Sequence, residues 1–169
     1  MDYLASAVPI GVGATAVMDL WSLIRRRLFG VPQLDYALVG RWLAHLPRGR
    51  FRHDPIAASP PVAVERLIGW AAHYVIGIAF AGVLLSIGGP DWVRHPTVAP
   101  ALVVGIGSVV APFLVMQPGM GAGIAASRTA RPAAARLNSL VTHAVFGLGL
   151  YAAAWVTRLL GAVGSVAIG

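Results

Sequence analysis

Apolar residues fall in four long runs, at about 4–24, 67–87, 98–117 and 137–160, and the polar residues gather between them. Each run reaches about 20 residues, the length a helix needs to cross a hydrocarbon core. The pattern predicts an all-α protein, a four-helix transmembrane bundle in which residues 1–169 form a single integral membrane domain. In the longest polar segment, 25–66, Leu34, Leu38, Trp42 and Leu46 recur every four positions after Pro32, while Asp35, Arg41 and His45 fall elsewhere. That spacing predicts a short amphipathic interfacial helix lying on the membrane surface, closed by Pro47.

Two of the runs echo each other. Arg66-Leu67, His73, Val75 and Gly77 return 70 positions later as Arg136-Leu137, His143, Val145 and Gly147. Runs one and three match more loosely, through Gly11-Val12-Gly13 and Gly105-Ile106-Gly107. Two spans per copy imply a parallel tandem repeat of two-helix units about an axis along the membrane normal. His73 and His143 then sit at one depth and are expected to face each other near that axis. Each also has a small residue one turn away on either side, Gly69 and Gly77 for the first, Ser139 and Gly147 for the second.

Composition removes the soluble alternative. With 57% hydrophobic and 11% charged residues, the chain is far from a soluble domain, whose apolar share is about half and charged share about a quarter. The net charge of +7 is carried by arginine alone. These arginines cluster in loops rather than on the face of a soluble module, so no nucleic-acid partner is expected. The segment Arg48 to His53 instead suits a lipid bilayer with anionic headgroups at the cytoplasmic face. The absence of cysteine leaves no disulfide framework and no thiolate metal site.

The arginines also set direction. Arg25, Arg26, Arg27, Arg41, Arg48, Arg50, Arg52 and Arg66 occupy one connection, and Arg128, Arg131 and Arg136 another, leaving Arg94 and Arg158 on the opposite side. The positive-inside rule then predicts a multi-pass membrane protein with both termini outside the cytoplasm, periplasmic or extracellular. The first run has arginines after it and none before it, the reverse of a cleavable signal, so a retained span is expected.

The chemistry-bearing residues fall in one half of the membrane. Ala7, Gly11, Thr15 and Asp19 form a ridge of small residues ending in an acid. Asp19, His73, His143 and Gln117 all lie toward the cytoplasmic ends of their helices, a candidate polar intramembrane cluster. Ionisable residues inside membranes mark ion and substrate paths, and histidine titrates near neutral pH. Handling of a proton, cation or small solute is therefore the expected function. The alternative is a non-catalytic assembly or scaffold protein with structural histidines, working as a homo-oligomer or with a membrane protein partner. A third reading makes His73 and His143 ligands of a haem or metal; no cofactor is otherwise expected. Ser139 lies one turn from His143, but one such pair is common by chance, and enzyme activity is not expected. Gly119, Gly121 and Gly123 superficially look like a phosphate-cradling turn, yet no strand precedes them and no Lys-Ser/Thr follows. Pro112 is expected to free the Ser108 carbonyl and kink its helix, and Trp92 to anchor at the interface.

Several of these residues belong to a wider pattern. Gly11 to Thr15, Met18-Asp19-Leu20-Trp21, Gly40-Arg41-Trp42, Gly69-Trp70 with His73-Tyr74, Gln117-Pro118, Gly121 to Thr129, and Thr142-His143 with Phe146 to Tyr151 together resemble a bacterial membrane family, domain of unknown function 2938. The resemblance spans nearly the whole chain. It implies a small bacterial inner-membrane protein and brings no activity, ligand or catalytic residue with it.

Overall fold

Where the apolar runs stop, the helices continue. In the computed structural model, which describes the backbone of residues 3–166 and the side chains of 5–160 except Pro90, the first helix, α1, spans Tyr3–Phe29. It thus carries Arg25, Arg26 and Arg27 in its last turns, where cations offset the negative end of the helix dipole. There follow α2 (Tyr36–His45), α3 (Glu65–Gly88), the short α4 (Pro90–Arg94), α5 (Val98–Gly107), the short α6 (Gln117–Met120) and α7 (Pro132–Val166). The last helix starts earlier than its apolar run because Pro132 supplies a pre-set first helical residue. The described residues contain no strand.

Among the described residues, four segments are long and apolar enough to cross a membrane: Ala5–Phe29, Glu65–Gly88, Val98–Met120 and Pro132–Leu160. Large apolar side chains such as Leu20, Val75, Val103, Leu114 and Val156 are exposed along them. Exposed apolar surface on that scale fits a membrane protein, whose solvent at this depth is lipid.

The third span is not one regular helix. After α5 ends, a wide π turn runs over Pro112–Met116 before α6. Pro112 has no amide hydrogen for the Ser108 carbonyl, as expected; the replacement donor is the Ala111 amide at 3.1 Å, in the same turn and not on a neighbouring helix. Tightening the turn before the proline satisfies the group that the proline cannot reach.

Helix α1 packs against α3 and α7, α5 against α7, and α2 against α3. Close backbone approach recurs in these crossings, and α1 with α3 and α5 with α7 show it alike. A side chain at Gly11 would strike the backbone of Ile78, and one at Gly77 the hydroxyl of Thr15; a side chain at Gly105 would strike the backbone of Gly147. Small residues allow such crossings, which in lipid depend on van der Waals contact. Between them lies a core that includes Ile10, Leu84, Leu150 and Thr15, all fully buried. Trp92 belongs to this core, 5% exposed, rather than to an interfacial belt; its indole donates to Thr97 Oγ1 at 3.2 Å.

The connection after α1 folds back onto α3. Asp35 caps α2, its Oδ1 accepting from the Ala37 amide at 2.9 Å, so the helix begins at Tyr36 and not at Pro32. Its buried face is Val39, Gly40, Trp42 and His45. The expected stripe placed His45 among the polar positions and Leu34 among the apolar ones, but Leu34 is exposed. The difference arises because α2 lies tightly on α3, with a side chain at Gly40 or Gly69 meeting the other helix's backbone. A two-pronged ion pair holds the junction: Arg41 Nε and Nη2 each reach a Glu65 carboxylate oxygen at 2.8 Å. Arg41 also donates to the Ser59 carbonyl at 2.9 Å, tying in the intervening segment.

Candidate functional site

An acid that must sit in a span needs partners, and Asp19 has them on α3. Its Oδ1 lies 3.0 Å from His73 Nε2, and its Oδ2 accepts from the Tyr74 hydroxyl at 3.0 Å. Consecutive residues on one helix thus flank both carboxylate oxygens. The Tyr36 hydroxyl approaches the same His73 nitrogen at 2.9 Å. Tyr36 comes from the first turn of α2, and its ring lies 4.3 Å from that of Trp70 and 4.5 Å from that of His73. Burial, with the Asp19 carboxylate and the Tyr74 phenol nearby, pushes the Tyr36 phenol above its ordinary range. It therefore keeps its proton at neutral pH. An ionised Asp19 draws a proton onto His73 Nε2, which fixes the tautomer of a neutral ring.

His143 has a different setting. Its Nδ1 lies 2.7 Å from Ser108 Oγ, and that hydroxyl also lies 2.6 Å from the Gly105 carbonyl. A hydroxyl has one hydrogen to give, and a carbonyl can only accept, so the consistent arrangement has Ser108 donating to Gly105 and His143 Nδ1–H donating to Ser108. Ser108 is 2% exposed. With its hydrogen directed to its own helix, it is a bonded wall residue rather than an activated nucleophile.

Two adjoining cavities bring these groups together. One, of about 360 Å³, is an apolar chamber whose wall includes His73, Ser108 and His143 among Met18, Phe80 and Phe146. The other, of about 420 Å³, is a more polar vestibule walled in part by Asp19, Arg25, Gln117, Asn138 and Thr142. Met18, Leu34, Tyr36, Pro112, Met116 and His143 line both. The pair Asp19 and His73 straddles the boundary, the acid on the vestibule and the imidazole on the chamber.

Of the four sequence candidates, Asp19 and His73 are in direct contact. His143 shares the chamber with His73, but no hydrogen bond or ring contact joins the two among the described residues. Gln117 lines the vestibule, with its Oε1 buried and unpartnered. Tyr36, Tyr74, Ser108 and Arg25 were not among the candidates. Tyr74 had a local signal in its place beside His73; Tyr36 and Ser108 reach their histidines across 37 and 35 positions, which no local spacing encodes. Bis-histidine ligation of a haem or metal fits this geometry poorly, because His73 Nε2 is already engaged by Asp19 and Tyr36. Nor do three His, Asp or Glu side chains gather into a metal-holding group among the described residues.

The sequence profile of one family, described as proteins of unknown function and designated DUF2938, matches residues 8–157. The chain belongs to the DUF2938 family. Neither curated proteins nor solved structures yield a match. The matched range takes in all the residues that build the two cavities of this DUF2938 chain.

A second histidine pair lies at the arginine-rich end. His45 Nδ1 and His53 Nε2 are 2.9 Å apart with rings stacked at 5.0 Å, both buried. Burial, then the neighbouring His53 and Arg50, Arg48 and Arg41, hold the His45 imidazole below its usual range. The same segment covers the glycine-rich turn: the His53 amide donates to the Gly119 carbonyl at 2.9 Å and Arg128 pairs with Asp54 at 3.0 Å. A Cβ at Gly121 would meet the His53 carbonyl oxygen at 2.5 Å. The turn is thus occupied by the protein's own backbone, consistent with the reading that it is no phosphate cradle.

Proposed function

We propose that the protein handles a proton or small solute at the arginine-rich end of its spans, with Asp19 and His73 as the pair that binds or passes the proton. One observation carries this reading: the acid faces the vestibule, the imidazole faces the chamber, and a proton shared between them lies on the boundary of the two spaces. Ionisable groups are costly inside a membrane and tend to mark paths, and imidazole exchanges protons near neutral pH. The positive-inside rule supports placing this end in the cytoplasm of a bacterial inner membrane, with both termini outside. The matched glycine crossings of α1 with α3 and of α5 with α7 support a parallel repeat of two-helix units in a four-helix bundle, and α2 suits the interface that borders the vestibule.

Reconstitution tests it. Vesicles containing the protein should show proton or solute flux that falls when Asp19→Asn or His73→Asn is introduced. The competing class is an assembly protein: there the same variants would alter a homo-oligomer or a membrane partner's recovery, and wild-type vesicles would be silent.

A further inference from the structure

One group near the cavities is unexplained by that reading. Arg25 lines the vestibule, yet among the described residues no carboxylate pairs with it. Its Nη1 donates to Thr142 Oγ1 at 3.0 Å and more distantly to the Asn138 carbonyl at 3.4 Å, both uncharged. Its Nε is buried with no partner. The nearby acid is committed elsewhere, since Asp19 gives its two oxygens to His73 and Tyr74. A guanidinium held at a span end by neutral acceptors, with a donor to spare, is a half-built anion site: its planar fork matches a carboxylate or phosphate. The surrounding amide and hydroxyl groups, including Gln117 with its unpartnered oxygen, add polar contacts.

The space next to it is of the opposite character. The chamber, lined mainly by apolar side chains including Ile76, Phe80, Val115 and Phe146, has the size of a small-molecule pocket, for which about 300–1,000 Å³ is usual. A more polar compartment, with a cation that no carboxylate pairs, sharing a wall with an apolar one, fits a molecule built the same way.

We propose that the two cavities together take an anionic amphiphile, a single hydrocarbon tail in the chamber and a carboxylate or phosphate head at Arg25. This rests on the proposed function for the cavities being a binding site, and it names the class of solute. The tail is held by burial of apolar surface, the head by charge-assisted bonds from the guanidinium. Asp19 lines the same vestibule as the head, and His73 is bonded to it from the chamber side, so a proton from a weak acid can reach the pair through Asp19.

The full-length protein in nanodiscs, with a brominated fatty acid as quencher of tryptophan fluorescence, provides the test, because Trp42 lines the chamber. Quenching should saturate and be reversed by laurate, and by dodecyl phosphate if the site takes either head. Dodecanol, acetate and inorganic phosphate should each compete at least about tenfold more weakly, the loss expected for a missing charge-assisted bond or a missing tail. Arg25→Gln should weaken laurate about tenfold and leave dodecanol unchanged, whereas Arg25→Lys should recover part of the loss. Ala111→Phe, which fills the chamber, should weaken laurate and dodecanol alike; a thermal melt of each variant verifies folding. Non-saturating quenching, equal competition by laurate and dodecanol, or full competition by acetate or phosphate alone would each overturn the proposal. Asp19→Asn separates it from the broader reading: if laurate binds but flux never depends on Asp19, the proton-handling reading fails alone, and if flux depends on Asp19 but laurate does not bind, the amphiphile proposal fails alone.

Discussion

The helix carrying His73 and the helix carrying His143 meet their partners by the same device and then treat the imidazole in opposite ways. On one side Gly11 and Gly77 let α1 and α3 close together, and on the other Gly105 and Gly147 do so for α5 and α7. Above the first crossing stands a carboxylate with two phenols; above the second stands a serine hydroxyl tied to a backbone carbonyl. A shared way of packing therefore does not imply a shared chemistry. What separates the halves is a few side chains from the partner helix and from α2: the first histidine is placed beside a charge, and the second beside a neutral wall.

The packing device should give the largest effect and the same one on both sides. Gly11→Val and Gly105→Val each drive a side chain into backbone that cannot rotate away. Each should cost about 3 kcal/mol, the upper part of the usual overpacking range, read as a fall in melting temperature in detergent or as loss of monodisperse protein. If only one of the two destabilises, the crossings are not equivalent.

The polar partners should give a smaller and unequal effect. His73→Ala removes a bond to a carboxylate, of a kind worth about 1.5–3 kcal/mol, and leaves Asp19 with Tyr74 alone. His143→Ala removes one neutral interhelical bond, of a kind averaging about 0.6 kcal/mol in membranes. The ratio of the two losses in one melting series sharpens the comparison, and equal losses would break it.

Much of this was legible in the sequence. The four spans were, because about 20 apolar residues in a row allow few other structures. Asp19 and His73 were too, since an acid or imidazole in such a run stands out. Their contact was not, because spacing fixes only which face of its own helix a residue occupies and leaves the neighbour open. The buried face of α2 shows the same gap. Periodicity favoured the Leu34, Leu38, Trp42 and Leu46 stripe, of which Trp42 is on the buried face, but Gly40 and Gly69 decide the contact by permitting backbone approach, and so His45 is turned inward. Pro112 marked a break, but whether its orphaned carbonyl stayed free depended on the local turn, which closed through Ala111.

The smallest predicted effect lies in the tie between the halves, where the segment around His53 covers the turn at Gly119. His45 is held below its usual range by burial and by cationic neighbours. With the folded-state value below the unfolded value of about 6.5, the unfolded chain binds more protons as pH falls through that range. The stabilisation from keeping His45 neutral is thus fully present above about pH 6.5 and is lost as pH falls below it. Melting temperature in detergent should decline over that interval, and His45→Gln should flatten the decline.

The central claim is that the two histidines occupy unlike electrostatic settings on a like scaffold, and nitrogen NMR of histidine-labelled protein in lipid addresses it directly. Each imidazole's two ring nitrogens report which one carries hydrogen. At a pH where both rings are neutral, the account predicts opposite tautomers: His73 protonated at Nε2, facing Asp19, and His143 protonated at Nδ1, facing Ser108. Finding the same tautomer at both positions, or the reverse assignment, would contradict it.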